Sequence, residues 1–330
     1  MMRRRECLTG IAIAAALSLT GGSSASAQGT FPSRTIRVIV PFPAGGTTDM
    51  LARLFAQRMS EGLGQSVLVE NMGGAGGSVG ADAVAKAEPD GHTLLFHNLT
   101  FSTTSASLQH AGRARHDIEK DFAPISLAAN VPMLLVANPQ VAAKDLKEFI
   151  ALAREGKQPL FYGSTGPGSV MNFAGEVMKR DARIAMEHVP FRGAAPLVQE
   201  LIAGRIQFGG DQLSTALPHV RSGALKPMAT LSATRIAALP DVPTVREMGL
   251  PNMEMRGWNG FFAPARTPDA VIARLNGEIV KAARQPDVQS RMAEVGAEAV
   301  GSTPQELAQV VREQVKAVGP LVAELNLVVQ

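Results

Sequence analysis

The chain has 330 residues, 18% of them charged and 45% hydrophobic, with a single cysteine, a single tryptophan and a single tyrosine. Its formal charge of +3 is largely local, since Arg3, Arg4 and Arg5 less Glu6 account for most of it. A near-neutral remainder argues against a nucleic-acid partner, and so few aromatics leave little for stacking bases or sugars. With Cys7 the only thiol, disulfides, thiol catalysis and cysteine-held metal are excluded from the rest of the chain.

The first segment reads as a signal peptide over residues 1–27. Three arginines precede an apolar run from Leu8 to Leu19, and Ala25-Ser26-Ala27 forms a small-residue cleavage site. Arg4-Arg5 loosely resembles a twin-arginine signal, so the export route is open. Cys7 precedes the apolar run, the wrong place for a lipoprotein cysteine. No later stretch reaches the about 18 uninterrupted apolar residues of a membrane span. An exported, soluble protein located in the periplasm is expected, and its roughly 300 remaining residues suffice for two lobes.

Residues 35–41 form the first predicted strand and 48–63 the first helix, with Leu51, Leu54, Phe55 and Met59 at helical spacing. Between them lies a loop of prolines, glycines and threonines. Gly45 and Gly46 let the backbone approach a ligand, and a helix N-terminus with unpaired amides attracts carboxylate or phosphate. Residues 66–70 are a second strand and 93–96 a third, with a glycine cluster from Gly73 to Gly80 leading into a helix that ends near Ala87. Strands alternating with helices imply a parallel sheet with right-handed crossovers. The spacing Gly74, Gly76, Gly80 is one residue too long for a dinucleotide fingerprint and follows the wrong strand, so no cofactor is expected. The stretch 98–115, rich in Ser and Thr, has no legible period, and none of the six histidines forms a metal-binding pair.

Apolar runs at 123–128 and 133–137, broken at Asn130 and Pro132, suit a chain crossing between lobes. The alternation then repeats, with a helix at 144–155 and a strand at 160–162. That strand feeds a second loop of small residues, Gly163 to Gly168, before a helix opening at Ser169 or Val170. Further elements are expected at 186–190, 194–203, 205–209 leading to Asp211, 213–222 and 226–231. The chain returns near Pro251 through the apolar Trp258–Pro264, and Trp258 suits either a wall against the ligand or inter-lobe packing. Thr267-Pro268 opens a helix, and Thr303-Pro304-Gln305-Glu306 joins a capping box to a proline at the first helical position. These C-terminal helices should pack back on the first lobe. The expected division is 28–131 plus 252–330 for one lobe and 132–251 for the other.

The phrases PFPAGGTTD, ENMGGAGGSVGADAVAKAEPDGHTLL, KDFAPISL, FYGSTGPGS, HVPFRGAAPLVQELIAGRIQF, LPDVPTVREMGLP and GWNGFFAP resemble those of the Bug family, the periplasmic solute receptors of tripartite tricarboxylate transporters. The resemblance covers essentially the whole chain after the leader. It implies an α/β, two-lobed type II periplasmic-binding-protein fold with the ligand cleft between lobes. It also implies a small carboxylate held by backbone amides and waters. Carried onto this sequence, the site is Ala44, Gly45, Gly46, Thr47, Thr48 and Asp49, with Ser164, Thr165, Gly168 and Ser169 across the cleft and Asp211 as a third element. Two departures bear on ligand choice: Asn172 stands where relatives usually carry His, and the 98–116 stretch replaces more usual text.

Neither glycine loop contains Lys or Arg, so oriented amides must meet the anion, and Arg192 is the nearest cation candidate. The expected function is a monomeric receptor, not an enzyme, with no cofactor or metal, delivering its carboxylate to a membrane permease. The rival classes are a ligand sensor for a signalling partner and an exported hydrolase. The hydrolase lacks a GxSxG elbow around Ser164 and Ser169.

Overall fold

The computed structural model describes residues 31–328, so the leader expected over 1–27 lies outside the described residues. Strand β1 (Ile36–Val40) buries all but Arg37, as an Ile/Val run in a covered sheet should. Helix α1 (Thr47–Leu63) turns Leu51, Ala52, Phe55, Ala56, Met59 and Leu63 onto that sheet, and left-handed Gly64 ends it. There follow β2 (Val67–Asn71), a 3-10 turn (Ala75–Gly77), α2 (Ser78–Ala85), β3 (Thr93–Asn98) and α3 (Thr100–His110). Strand β4 (Phe122–Asn130) closes this part, and β5 (Met133–Ala137) opens the next.

The second part contains α4 (Leu146–Glu155), β6 (Phe161–Ser164), α5 (Val170–Ala182), β7 (Glu187–Pro190) and α6 (Ala194–Ile202). It continues through β8 (Phe208–Gln212), α7 (Leu213–Arg221) and β9 (Lys226–Thr230). The chain then returns as β10 (Trp258–Pro264), followed by α8 (Asp269–Ala283), α9 (Pro286–Glu294), β11 (Glu298–Ala299) and α10 (Pro304–Glu324). Thr303 and Glu306 form the expected capping box at the start of α10.

Two sheets result, in the orders β11-β4-β10-β3-β1-β2 and β7-β6-β8-β5-β9. They are mixed rather than parallel, which corrects the expectation from strand–helix alternation. Strand β10 comes back from the second sheet and inserts antiparallel between β3 and β4, and β5 runs antiparallel to β8 and β9. A strand arriving from another lobe is not bound by the crossover rule that makes consecutive βαβ units parallel. The chain crosses first between Asn130 and Met133. On its return Met255 still donates to Leu231 O, and Gly257 accepts from Val131 N, so this crossing falls a few residues after Pro251. A Cβ on Gly257 would lie 1.9 Å from Val131 O, and only glycine lets the two crossing strands approach so closely.

Helix α3 fills the stretch that carried no legible period. Every residue from Thr100 to Leu108 is buried, so the helix has no polar face and hence no amphipathic signal. Small Ser and Thr side chains let it sit between α10 and the glycine-rich turn. Trp258 is fully buried and donates to Gln314 Oε1 at 2.5 Å, so it is a packing residue rather than a wall of the cleft.

Candidate functional site

Helix α1 begins without a side-chain cap, because its N-cap is Gly46, in extended conformation at φ −83°. The first-turn amides of Thr47, Thr48 and Asp49 are orphans of the helix geometry, and these three residues line a cavity. The preceding residue, Gly45, holds φ +87° and turns its own N–H back to Asp49 Oδ2 at 3.0 Å. Asp49 also receives Asn71 Nδ2 at 2.9 Å and Arg53 Nε at 3.1 Å. Burial opposes its charge, but the bonds from Arg53, Gly45 and Asn71 outweigh it and hold its pKa below the usual carboxylate value. Asp49 is thus the brace of the first loop.

The cavity encloses about 40 Å³, space for two or three waters or one carboxylate group. Five helix N-termini converge on it: α1 through Gly46 to Asp49, α3 through Asn98 to Thr100, α5 through Val170 and Met171, α6 through Gly193 and Ala194, and α7 through Asp211 and Gln212. Their dipoles all turn positive ends inward. Thr47 Oγ1 meets Ser214 Oγ at 2.5 Å and Thr104 Oγ1 donates to Gly168 O at 3.2 Å, so loops of the two sheets touch around the space.

Of the residues expected from sequence, Gly46, Thr47, Thr48, Asp49, Thr165 and Asp211 line the cavity. Ala44, Gly45, Ser164, Gly168 and Ser169 do not. The Gly45 and Gly168 amides are already engaged, the latter with Asn172 Oδ1 at 3.0 Å. Ser169 caps α5 by accepting from Asn172 N. Asp211 accepts from Thr215 Oγ1 at 2.7 Å, and burial, set against that bond, pushes its pKa up to about 6.

Sequence reasoning stopped one residue short of the most telling side chain. Gln212 is 2% exposed, lines the cavity, and its Nε2 has no partner among the described residues. Asn259 Nδ2 is likewise buried and unpartnered among the described residues, while its Oδ1 accepts from Thr48 Oγ1 at 3.3 Å. Asn98 Nδ2 donates to the same hydroxyl at 2.9 Å. Buried donors are rarely left unpaired, and two beside an uncapped helix end mark a place built for an acceptor. Gln212 could have been suspected from its position directly after Asp211 at a strand-to-helix junction. Asn259 arrives from a strand distant in sequence and gave no signal.

Ser164 and His188 form a pair at 2.6 Å, the geometry of a nucleophile and its base. The surrounding bonds run the other way. Asn172 Nδ2 faces His188 Nδ1 at 3.4 Å, so Nδ1 is the acceptor and Nε2 carries the proton toward Ser164 Oγ, which passes its own to Gly166 O at 3.1 Å. In that tautomer the imidazole has no lone pair for the serine proton. Burial lowers the His188 pKa, which keeps the ring neutral, and the fully buried Ser164 holds the second loop in shape.

Residues 51–327 match the sequence model of the tripartite tricarboxylate transporter family receptor. A protein from the tcbD-tcbE intergenic region of Pseudomonas sp. strain P51 is 36% identical over 325 residues, covering 98% of this chain and 95% of that one. Among solved structures, MatC from Rhodopseudomonas palustris with bound malate is 37% identical, with a TM-score of 0.83 over 88% of this chain and all of that one. The periplasmic binding protein BugD superposes with a TM-score of 0.83 at 32% identity, over 91% of this chain and all of that one. The family and these structural neighbours are solute-binding proteins rather than enzymes. The sheet pair, the convergent helix ends and these likenesses together place the chain in the tripartite tricarboxylate transporter receptor family, with the two-lobed fold of the Bug-type binding proteins.

Proposed function

We propose that the protein is a periplasmic receptor that captures a small carboxylated metabolite between its lobes and delivers it to the membrane permease of a tripartite tricarboxylate-type transporter. The supporting observation is the unpartnered Gln212 Nε2 beside the uncapped first turn of α1, a cluster of donors with no Lys or Arg in the cavity lining. In this reading the amides of Gly46, Thr47, Thr48 and Asp49 hold one carboxylate from one lobe. Thr165, Gln212 and the start of α6 meet it from the other, with Ala44, Gly45, Ser164, Gly168 and Ser169 shaping the loops. Asp211 faces a polar, uncharged part of the ligand or an ordering water, since two anions side by side repel. One lobe spans the first sheet with the C-terminal helices, the other residues from 132 to the return crossing, and the receptor acts as a monomer.

A cavity of this size admits ligand only after the lobes part, so binding must select the closed state through contacts absent in the open one. Among the described residues no helix is long and apolar enough to cross a membrane. The test is a thermal-shift screen of the purified protein against mono-, di- and tricarboxylates, aromatic acids and amino acids. At about 100 times its dissociation constant a true ligand adds about 2.7 kcal/mol of stability, and no shift from any carboxylate would overturn the proposal.

A further inference from the structure

Beyond the small cavity lies a vestibule of about 590 Å³, and Phe42, Pro43, Thr165 and Gly193 border both spaces. In the vestibule wall the two halves of the molecule touch twice, each time with a glycine against a proline. One contact joins the glycine turn after β2 to the loop after β6. A Cβ on Gly76 would stand 2.9 Å from Pro167 O and 2.8 Å from Thr104 Oγ1. The other contact joins the loop before α1 to the start of α6, where a Cβ on Gly193 would stand 3.2 Å from both Cγ and Cδ of Pro43.

Both contacts are backed by held structure. The buried Thr104 Oγ1 donates to Gly76 O at 3.0 Å and to Gly168 O at 3.2 Å, which ties the turn to the opposite loop. That loop is itself braced by the bonds from Gly168 N to Asn172 Oδ1 and from Gly166 N to Ser164 Oγ. Pro43 has no room to retreat, since a Cβ on Gly73 would already lie 3.4 Å from its Cδ. Ordinary contact begins near 3.4 Å, so a methyl group at position 76 asks the two loops to part by about half an ångström. A shift of that size along the Thr104–Gly168 bond takes it past hydrogen-bonding distance. Repulsion between close-packed atoms is steep, whereas a ligand held through water can adjust its position.

We infer that Gly76 and Gly193 are positioning residues that set how far the cleft closes, so that one closed geometry is reached whichever acid is bound. The inference rests on the receptor reading above. Closure ends where the loops abut, not where the ligand is gripped, and a partner that recognises the closed receptor then meets one surface for every ligand. Gly76 is the harder stop, because a methyl group there meets a backbone carbonyl. At Gly193 it meets the Pro43 ring, which needs to give by only a few tenths of an ångström. Gly76 also has a left-handed backbone, φ 62° and ψ 23°, and that strain must be separated from the contact. Gly156 separates them: its φ of 62° and ψ of 18° match, and no atom lies within 4 Å of where its Cβ would stand.

The test is the separation of two nitroxide labels, measured by pulsed electron paramagnetic resonance, beside stopped-flow ligand release. The labels sit on Ala83→Cys and Gln199→Cys, exposed positions of α2 and α6, with Cys7, the only native cysteine, changed to Ser. Separations are recorded without added acid and with malate, adipate and each acid that raises the melting temperature. The wild type should show one short separation, the same for every acid that binds. Gly76→Ala should lengthen it and speed release about tenfold while leaving the association rate within about twofold, and Gly193→Ala should do the same more weakly. Gly156→Ala should lower the melting temperature as Gly76→Ala does and leave separation and release rate unchanged. A separation that differs from acid to acid, a Gly76→Ala protein that closes like the wild type, or a wild type that never shows the short separation would overturn the inference. A protein that closes to the glycine stop yet binds no acid would keep the inference and sink the receptor reading.

Discussion

The two glycine loops are built on one backbone plan and do different work. In each, a left-handed glycine returns its amide to a side chain four residues on, Gly45 to Asp49 and Gly168 to Asn172, at the third position of the helix that follows. They part at the N-cap. Gly46 has no side chain, so the first-turn amides of α1 stay open to the cavity, whereas Ser169 Oγ accepts from Asn172 N and closes the start of α5. They part again in charge, since the first brace is an anion tied to Arg53 and the second a neutral amide. On the proposed reading, the absent cap, and not the glycine alone, is what suits the first loop to an anion.

This contrast can be broken most severely at Gly46. No atom lies within 4 Å of where its Cβ would stand, so Gly46→Val should fold normally while filling the cavity, lowering ligand affinity by about 100-fold or more, ~2.7 kcal/mol. Calorimetry beside a thermal melt checks both halves. Retained affinity would move the anion elsewhere. Next in size is the brace: Asp49→Ala releases Arg53, Asn71 and the Gly45 amide together and should cost about 2 kcal/mol of stability in urea unfolding, with binding weakened as well.

Gln212→Leu separates ligand contact from folding. Because Nε2 has no partner among the described residues and Oε1 accepts only a long 3.5 Å bond from Asn98 Nδ2, affinity should fall about tenfold, ~1.4 kcal/mol, while the unfolding midpoint stays within error. A large loss of stability instead would make Gln212 a structural residue.

Asp211 gives a pH signature of smaller size. Its pKa in the fold is raised from 3.8 to about 6, so its contribution is fully present below 3.8 and lost as pH rises through 6. Asp211→Asn should therefore be more stable than the wild type at pH 8 and not at pH 4, by on the order of 1 kcal/mol once solvent screening is allowed for. The same ionisation should weaken carboxylate binding above pH 6 in the wild type and leave the variant flat. Denaturation and titration at both pH values test the sign.

The smallest effect is the exchange of caps. Ser169→Ala should cost about 1 kcal/mol of stability with little change in affinity. Gly46→Ser should gain a few tenths of a kcal/mol from its new cap and yet bind less well, because the hydroxyl takes the Asp49 amide. Equal affinity losses in both variants would erase the distinction between the loops.

By itself the sequence determined what is local. Ile36 to Val40, the periodic apolar residues of α1 and the Thr303–Glu306 box announce their elements because burial pattern and capping lie within a few consecutive residues. The loop at Gly45–Gly46 was legible for the same reason, as was the crossing broken at Pro132. Tertiary structure alone decided the rest. Helix α3, buried on every side, had no contrast between faces to display, and β10 chose an antiparallel slot among strands that it meets only after a detour through the other lobe. The site shows the same division. Which amides were free depended on side chains folding back onto them, and Gln212 and Asn259 gained meaning only once β8 and β10 brought them beside α1. Unpaired hydrogen-bonding capacity is a property of neighbours in space, and no single stretch of chain contains it.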